Sequence, residues 1–330
     1  MITRRRVVIA LGAGALAAPL ASFTQQQPKI WRIGHLEFGS RQLSLDTGRH
    51  SAFLQGMREL GYAEGKHFIF EARYADGNSD RLDGFAAELA RLKADVILTI
   101  GTPASHAAQR ATPAIPIVVV AAADPVRDGF AESLARPGGN ITGLSSGSGE
   151  IVQKWVELLI TMIPKLSRVA VLLNPANSAH SHMQLSVQTA LRQTGRQVLP
   201  MSARSPDDIE RGFAAMARER ADAVIILPDS AFSAQLKQIA GLALKHRLPS
   251  IAQASLFAEA GSLLAYGFDI NDSLRRAATF VDKILKGAKP GELPFELPTR
   301  YYLVVNRKTA QVLGITIPNE ILLRADKVIE

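Results

Sequence analysis

From Ile30 onward the chain alternates short apolar runs with stretches of helical period, and it does so in two successive sets. The first set of strand-like runs is Ile30–Leu36, His67–Tyr74, Asp95–Ile100, Ile115–Ala122 and Ile141–Ser145. The second is Arg168–Leu173, Gln197–Met201, Ala223–Leu227, Pro249–Gln253 and Leu263–Tyr266. Between them apolar residues recur at helical spacing, as in Phe53, Met57 and Leu60 or Phe85, Leu89 and Leu92. Strand–helix alternation of this kind requires parallel sheets with right-handed crossovers.

The two sets read as copies. Gly84-Phe85-Ala86-Ala87 followed by Ala94-Asp95 parallels Gly212-Phe213-Ala214-Ala215 followed by Ala221-Asp222, and Trp31-Arg32-Ile33-Gly34 parallels Arg168-Val169-Ala170-Val171. A length of 330 residues suits two lobes of about 100–200 residues each. The expected fold is therefore α/β, with two Rossmann-like lobes built on parallel sheets: residues 29–145 and residues 146–265. The tail differs. It reads as a helix over Asn271–Lys286, capped by Asn271 or Asp272 and stopped by Gly287, then an extended linker marked by Pro290, Pro294 and Pro298. A strand at Tyr301–Val305 and short helices at Asn306–Leu313 and Asn319–Leu323 follow. So late a proline-rich run suggests that the chain crosses back between lobes. That assigns about 266–295 to the first lobe and about 296–330 to the second, through a multi-crossing hinge.

Composition removes several chemistries. With no cysteine there is no disulfide scaffold, thiolate zinc site, Fe–S cluster or cysteine nucleophile. The formal charge is +8, but Arg4, Arg5 and Arg6 cluster at the N-terminus and no dense basic run with interleaved aromatics follows, so no nucleic-acid partner is expected. Thr3-Arg4-Arg5-Arg6-Val7-Val8 opens an apolar run to Ala18 that is too short to span a bilayer and matches a signal-peptide core. Its paired arginines resemble a twin-arginine signal, expected over residues 1–26, and removal of that signal would leave the protein in the periplasm. Within this stretch Gly12-Ala13-Gly14 imitates a dinucleotide-binding fingerprint. Pro19 would break the helix that fingerprint needs, and the first acid, Glu37, ends a strand of its own.

In open parallel sheets ligands sit beyond the carboxyl ends of the strands. Applied to the first lobe, that rule selects His35, Glu37, Gly101, Thr102, Ser105 and Asp124; applied to the second, Asn174, Asn177, Asp229, Ser230 and Gln253; Ser145 and Tyr266 complete the candidate ligand-binding residues. Gly101-Thr102-Pro103-Ala104-Ser105 offers close backbone approach, a capping hydroxyl and a proline suited to a first helical turn, a set that suits a carboxylate or an ordinary capped helix equally. Asp124 and Asp229 either balance a ligand ammonium or cap the next helix. Phe38, Phe232, Phe257 and Tyr266 lie near strand ends and admit an apolar or aromatic guest, although core packing is the commoner fate of a Phe. Gly143-Leu144-Ser145-Ser146-Gly147 matches the nucleophile-elbow pattern of a serine hydrolase, yet no downstream histidine stands in a fitting loop, and a hinge is the plainer account. Gly61…Gly65-Lys66 is one residue short of a phosphate loop. His180-Ser181-His182 lacks further spaced ligands for a metal and reads as a solvated helix start. No metal or cofactor is expected.

Five segments together resemble a known family: Arg136-Pro137-Gly138-Gly139-Asn140-Ile141-Thr142-Gly143, Asn174-Pro175-Ala176-Asn177, Ala265-Tyr266-Gly267, Arg276-Ala277-Ala278 with Val281-Asp282-Lys283, and Gly314-Ile315-Thr316-Ile317-Pro318. They are similar to the ABC-transporter substrate-binding proteins of the tryptophan/tyrosine type, a bacterial periplasmic group. The resemblance implies a type I periplasmic-binding fold, a small ligand clamped between lobes, and delivery to a membrane permease with a cytoplasmic ATPase. It implies an amino acid as guest, and the family's binding positions, taken mainly from the strand ends, fall on His35, Thr102, Ser105, Asp124, Asn174, Asp229 and Gln253; a monomer without catalytic activity is expected. A serine hydrolase using Ser145, or a sensor of the same fold docking on a membrane receptor, are the competing expectations.

Overall fold

A computed structural model describes residues 29–330; the expected signal and the dinucleotide-like stretch lie outside the described residues. The first sheet contains β1 (Trp31–Glu37), β2 (Phe68–Tyr74), β3 (Val96–Ile100), β4 (Ile117–Ala122) and β5 (Ile141–Ser145), all parallel, in the order β2-β1-β3-β4-β5. The second contains β6 (Arg168–Leu173), β7 (Gln197–Ser202), β8 (Ala223–Ile226), β9 (Ser250–Ala252), β10 (Leu264–Gly267), β11 (Tyr302–Asn306) and β12 (Lys327–Ile329). Its order is β12-β11-β10-β9-β8-β6-β7. Strands β7-β6-β8-β9-β10 repeat the order of the first sheet, which is how the sequence duplication shows in space. Strand β11 pairs antiparallel with β10 and β12 pairs parallel with β11, so the second sheet is mostly rather than wholly parallel.

Each sheet is covered on both faces, which explains strands that are apolar at every position. In β3, Val-Ile-Leu-Thr-Ile is buried throughout; Val96, Leu98 and Ile100 face the helices Arg49–Glu59 and Ile270–Leu285, while Ile97 faces Asp80–Arg91 and Thr102–Ala111. The second sheet packs Ser148–Met162 and Ala179–Gln193 on one face and Pro206–Arg218 and Leu236–Lys245 on the other. At about 25 cal/mol per Å² of apolar surface, these two double-faced cores supply the main driving force for each lobe.

The chain passes between the sheets after Ser145, after Gly267 and again between Glu296 and Tyr302. The late helix Ile270–Leu285 packs under the first sheet, and the segment around Glu296 lies along β5: Ser145 N–H donates to the Glu296 carbonyl (2.9 Å), and Glu296 N–H donates to that of Gly143 (3.0 Å). Three details differ from the expectation. Asp269, not Asn271 or Asp272, caps the late helix, accepting from Asn271 N–H at 2.8 Å. The proline segment opens with a 3-10 turn, Pro290–Glu292. Tyr266 pairs with Leu303 inside the second sheet, so the passage to the first lobe begins only after Gly267.

Candidate ligand-binding cleft

The C-terminal ends of both sheets point into one cleft. Two adjoining cavities lie along it, an inner cavity of about 160 Å³ and, as its mouth, one of about 640 Å³; Arg49, Ser233, Gln253, Phe257 and Phe268 border both. Several backbone features shape the inner wall. Gly101 takes φ +79°, turning β3 sharply into the helix Thr102–Ala111, with Pro103 in its first turn. Ala121 takes φ +61° where the β4–β5 register shifts between Val120 and Ala122; this strained bulge carries the backbone to the cavity wall.

Six of the strand-end residues border the inner cavity: Gly101, Thr102, Asn177, Asp229, Ser230 and Gln253. The others are placed differently. Ser105 is sealed beneath the helix start, bonded to Thr99 Oγ1 (2.7 Å) and donating to the Gly101 carbonyl (2.8 Å). Asp124 accepts from Arg127 N–H (3.1 Å) in its own turn. Ser145 Oγ donates to the Ala122 carbonyl (3.2 Å) and accepts from Gly147 N–H (3.2 Å), and it is the neighbouring Ser146 that borders the cavity. Among the described residues no histidine bonds Ser145, so the geometry of a serine nucleophile is not assembled there. His35 stacks on Phe70 inside the first lobe (5.3 Å between ring centres), and Tyr266 stacks on Tyr301 (5.8 Å). Phe38 and Phe257 reach the cavity, whereas Phe232 is core.

Thr102 does not cap its helix. Its hydroxyl donates to Asp128 Oδ2 (3.0 Å) and accepts from Ala123 N–H (3.3 Å). Asp128 Oδ1 lies 3.0 Å from His182 Nε2 on the opposite lobe, a polar tie across the cleft. The lobes also approach each other at Gly39, where an added methyl would stand 3.4 Å from Ser230 Cβ, close to ordinary van der Waals contact.

Asp229 is held by its own lobe. It caps the helix Ser230–Ala234 through Ala231 N–H (2.8 Å), and it accepts from Asn177 Nδ2 (2.9 Å) and, at longer range, from Asn174 Nδ2 (3.3 and 3.4 Å). His180 is not at a solvated helix start: it is buried, its Nδ1 accepts from Asn174 N–H (2.8 Å) and its Nε2 faces the Pro228 carbonyl (3.1 Å). That pattern fixes the neutral ring protonated on Nε2. Burial pushes the His180 pKa down, against the opposing pull of the Asp229 carboxylate.

Strand-end reasoning missed one side of the cleft. Arg49, in the first turn of Arg49–Glu59, borders both cavity and mouth, and its Nη1 donates to Glu37 Oε1 at 2.6 Å. Glu37 is fully buried at the end of β1, with Oε2 3.5 Å from His35 Nε2. Burial alone would raise the Glu37 pKa, but the His35 contact and the Arg49 charge outweigh it and hold the carboxyl below its ordinary value. Met183, Phe268 and Ser233 were missed too, because they project from helices and connections rather than from strand ends.

Comparison with known proteins agrees with this architecture. A solved structure from Vibrio cholerae O1 biovar El Tor strain N16961, described as a conserved domain protein, is 29% identical with a TM-score of 0.84, covering 91% of this chain and 100% of that one. An ABC domain from Streptococcus pneumonia in complex with L-Trp is 25% identical with a TM-score of 0.84, over 91% of this chain and 100% of that one. A protein of Clostridioides difficile strain R20291, named tyrosine-binding protein, is 24% identical over 273 residues, 82% of this chain and 78% of its own length. The family model described as ABC transporter substrate binding protein matches residues 44–329. The chain therefore belongs to the ABC transporter substrate-binding protein family and has its type I periplasmic-binding fold.

Proposed function

We propose that this protein is the extracytoplasmic ligand-binding component of an ABC importer and that its guest is an amino acid with an aromatic or apolar side chain. The observation that carries this reading is the inner cavity, placed where the two sheets face each other. Phe38, Phe257, Phe268 and Met183 give it an apolar wall, and Asn177, Gln253 and Arg49 supply a few polar groups. The L-Trp and tyrosine named for the relatives fit such a wall. The two-lobed build supports binding by closure: ligand docks on one lobe and gains contacts from the second, shifting the open–closed population. A permease with a cytoplasmic ATPase would read the closed form. Export through the N-terminal signal and action as a monomer complete the proposal, and no helix among the described residues is long and apolar enough to cross a membrane.

A thermal-shift screen against amino acids, small carboxylates and sugars tests the ligand class. For a dissociation constant near 1 μM, about −8 kcal/mol, 1 mM ligand adds about 4 kcal/mol to stability and gives a clear rise in Tm. L-tryptophan or L-tyrosine should produce it. A response confined to sugars would overturn the amino-acid reading.

A further inference from the structure

The inner cavity is chemically lopsided. Among the residues bordering it Arg49 is the one Lys or Arg and Asp229 the one Asp or Glu, and the two are not equally available. The Asp229 side chain has no exposed surface, and both its oxygens are engaged by Ala231 N–H, Asn177 and Asn174. Arg49 is the reverse. A guanidinium carries five N–H donors, and among the described residues the only acceptor this one meets is Glu37 Oε1. Its Nε is shut away from solvent with no partner, an arrangement that costs free energy until an acceptor arrives. The side chain is 13% exposed and borders both the cavity and the mouth, which puts its free N–H groups within reach of an acceptor in the cleft.

Given an amino-acid guest, we propose that Arg49 is the carboxylate anchor of the cleft and that charge recognition is one-sided: the ligand carboxylate meets a cation, while its ammonium meets only neutral acceptors such as the Gln253 side-chain carbonyl. A carboxylate matches the planar guanidinium fork, and such charge-assisted pairs are about twice as strong as neutral ones. Glu37 acts as a positioning residue. Fully buried and bonded to Nη1, it fixes the guanidinium at the edge of the cavity before the ligand arrives, which reduces the ordering cost of binding.

The test needs no variant at first. Calorimetry on the purified protein compares L-tryptophan, 3-indolepropionate, which keeps the carboxylate and lacks the ammonium, and tryptamine, which keeps the ammonium and lacks the carboxylate; the tyrosine series is run in parallel. Tryptamine should bind about 10- to 100-fold more weakly than L-tryptophan, and 3-indolepropionate should outbind tryptamine. Arg49→Lys, which preserves a cation beside Glu37 but loses the fork, should weaken both carboxylates about 10-fold and leave tryptamine unchanged. Tryptamine binding as tightly as 3-indolepropionate, or an Arg49→Lys loss equal across all three ligands, overturns the anchor while the amino-acid reading survives. No binding by either full amino acid overturns that reading and the anchor together.

Discussion

Each lobe buries a carboxylate beside a histidine near the cleft, and the two clusters are finished to different degrees. In the second lobe Asp229, His180, Asn174 and Asn177 form a closed network in which both ring nitrogens and both carboxylate oxygens have partners. In the first lobe His35 Nδ1, Glu37 Oε2 and Arg49 Nε are all buried without a hydrogen bond. A satisfied buried network is rigid framework, whereas an unsatisfied one stores a penalty that a ligand or a rearrangement relieves. The difference teaches that polar residues at a strand end are not interchangeable evidence of binding. The second-lobe cluster braces the cleft, and the first-lobe cluster holds at its wall an Arg49 guanidinium with unused donors.

The largest expected effect attacks the first-lobe cluster. Arg49→Met leaves Glu37 fully buried without its cation, and removing one partner of a buried pair costs about 3–5 kcal/mol. Urea denaturation should show that loss, and Glu37→Gln added to it should recover more than half, because the uncompensated charge is gone. A single variant within about 1 kcal/mol of wild type would mean that the pair is loose and the contrast with the second lobe false.

Next comes the second-lobe network. Asp229→Ala removes a helix cap and orphans two buried asparagine amides, for a loss of about 2–3 kcal/mol in the ligand-free protein. Here stability should fall even without ligand, as befits framework. If Asp229→Ala were as stable as wild type and failed only in binding, Asp229 would be a ligand contact and not a brace.

Much of the architecture was legible because its signals are local. Runs such as Val-Ile-Leu-Thr-Ile in β3 or Arg168–Leu173 in β6 are apolar along their length since both faces of each sheet are covered. The helices Arg41–Asp46 and Ser255–Ala260 and the strand Lys327–Ile329 escaped, being too short to show a period. The cleft was half legible. The strand-end rule finds the loops that face it but not the direction of each side chain, so Gly101 and Gln253 reach the cavity while Ser105 and Asn174 turn into their own lobe. Arg49 and His182 sit within helices, where a lone Arg or His looks like any solvated residue; their importance arises only when Glu37 and Asp128 come within reach in three dimensions.

Acid should sharpen the contrast through its two windows. His180 and Glu37 both have depressed pKa values, so each binds fewer protons folded than unfolded and the protein loses stability as pH falls. The His180 contribution is complete above its ordinary value of 6.5 and fades as pH drops below it. The Glu37 contribution persists to its ordinary value of 4.5 and is lost only beneath that. Melting temperature against pH should therefore decline in two limbs, the upper one flattened by His180→Gln and the lower one by Glu37→Gln. A single limb unaffected by His180→Gln would place the titration elsewhere.

The smallest expected effect on stability separates lobe from lobe. His182 Nε2 meets Asp128 Oδ1 across the cleft at 3.0 Å, while Asp128 keeps Thr102 Oγ1 and Asp124 N–H as partners within its own lobe. Both of those bonds fall on Oδ2, so loss of His182 strips Oδ1 of its partner but opens it to water from the cleft, and His182→Ala should shift ligand-free stability by about 1 kcal/mol or less. The tie exists only when the lobes are together, so its loss should appear in the closing step. Ligand affinity is expected to fall about 2- to 10-fold, the worth of one net hydrogen bond. Small-angle scattering at subsaturating ligand should show a larger mean radius of gyration than wild type at the same ligand concentration. Equal affinity and equal radius would show that closure is held by the apolar wall alone, and the two lobes would then differ in how they bind but not in how they meet.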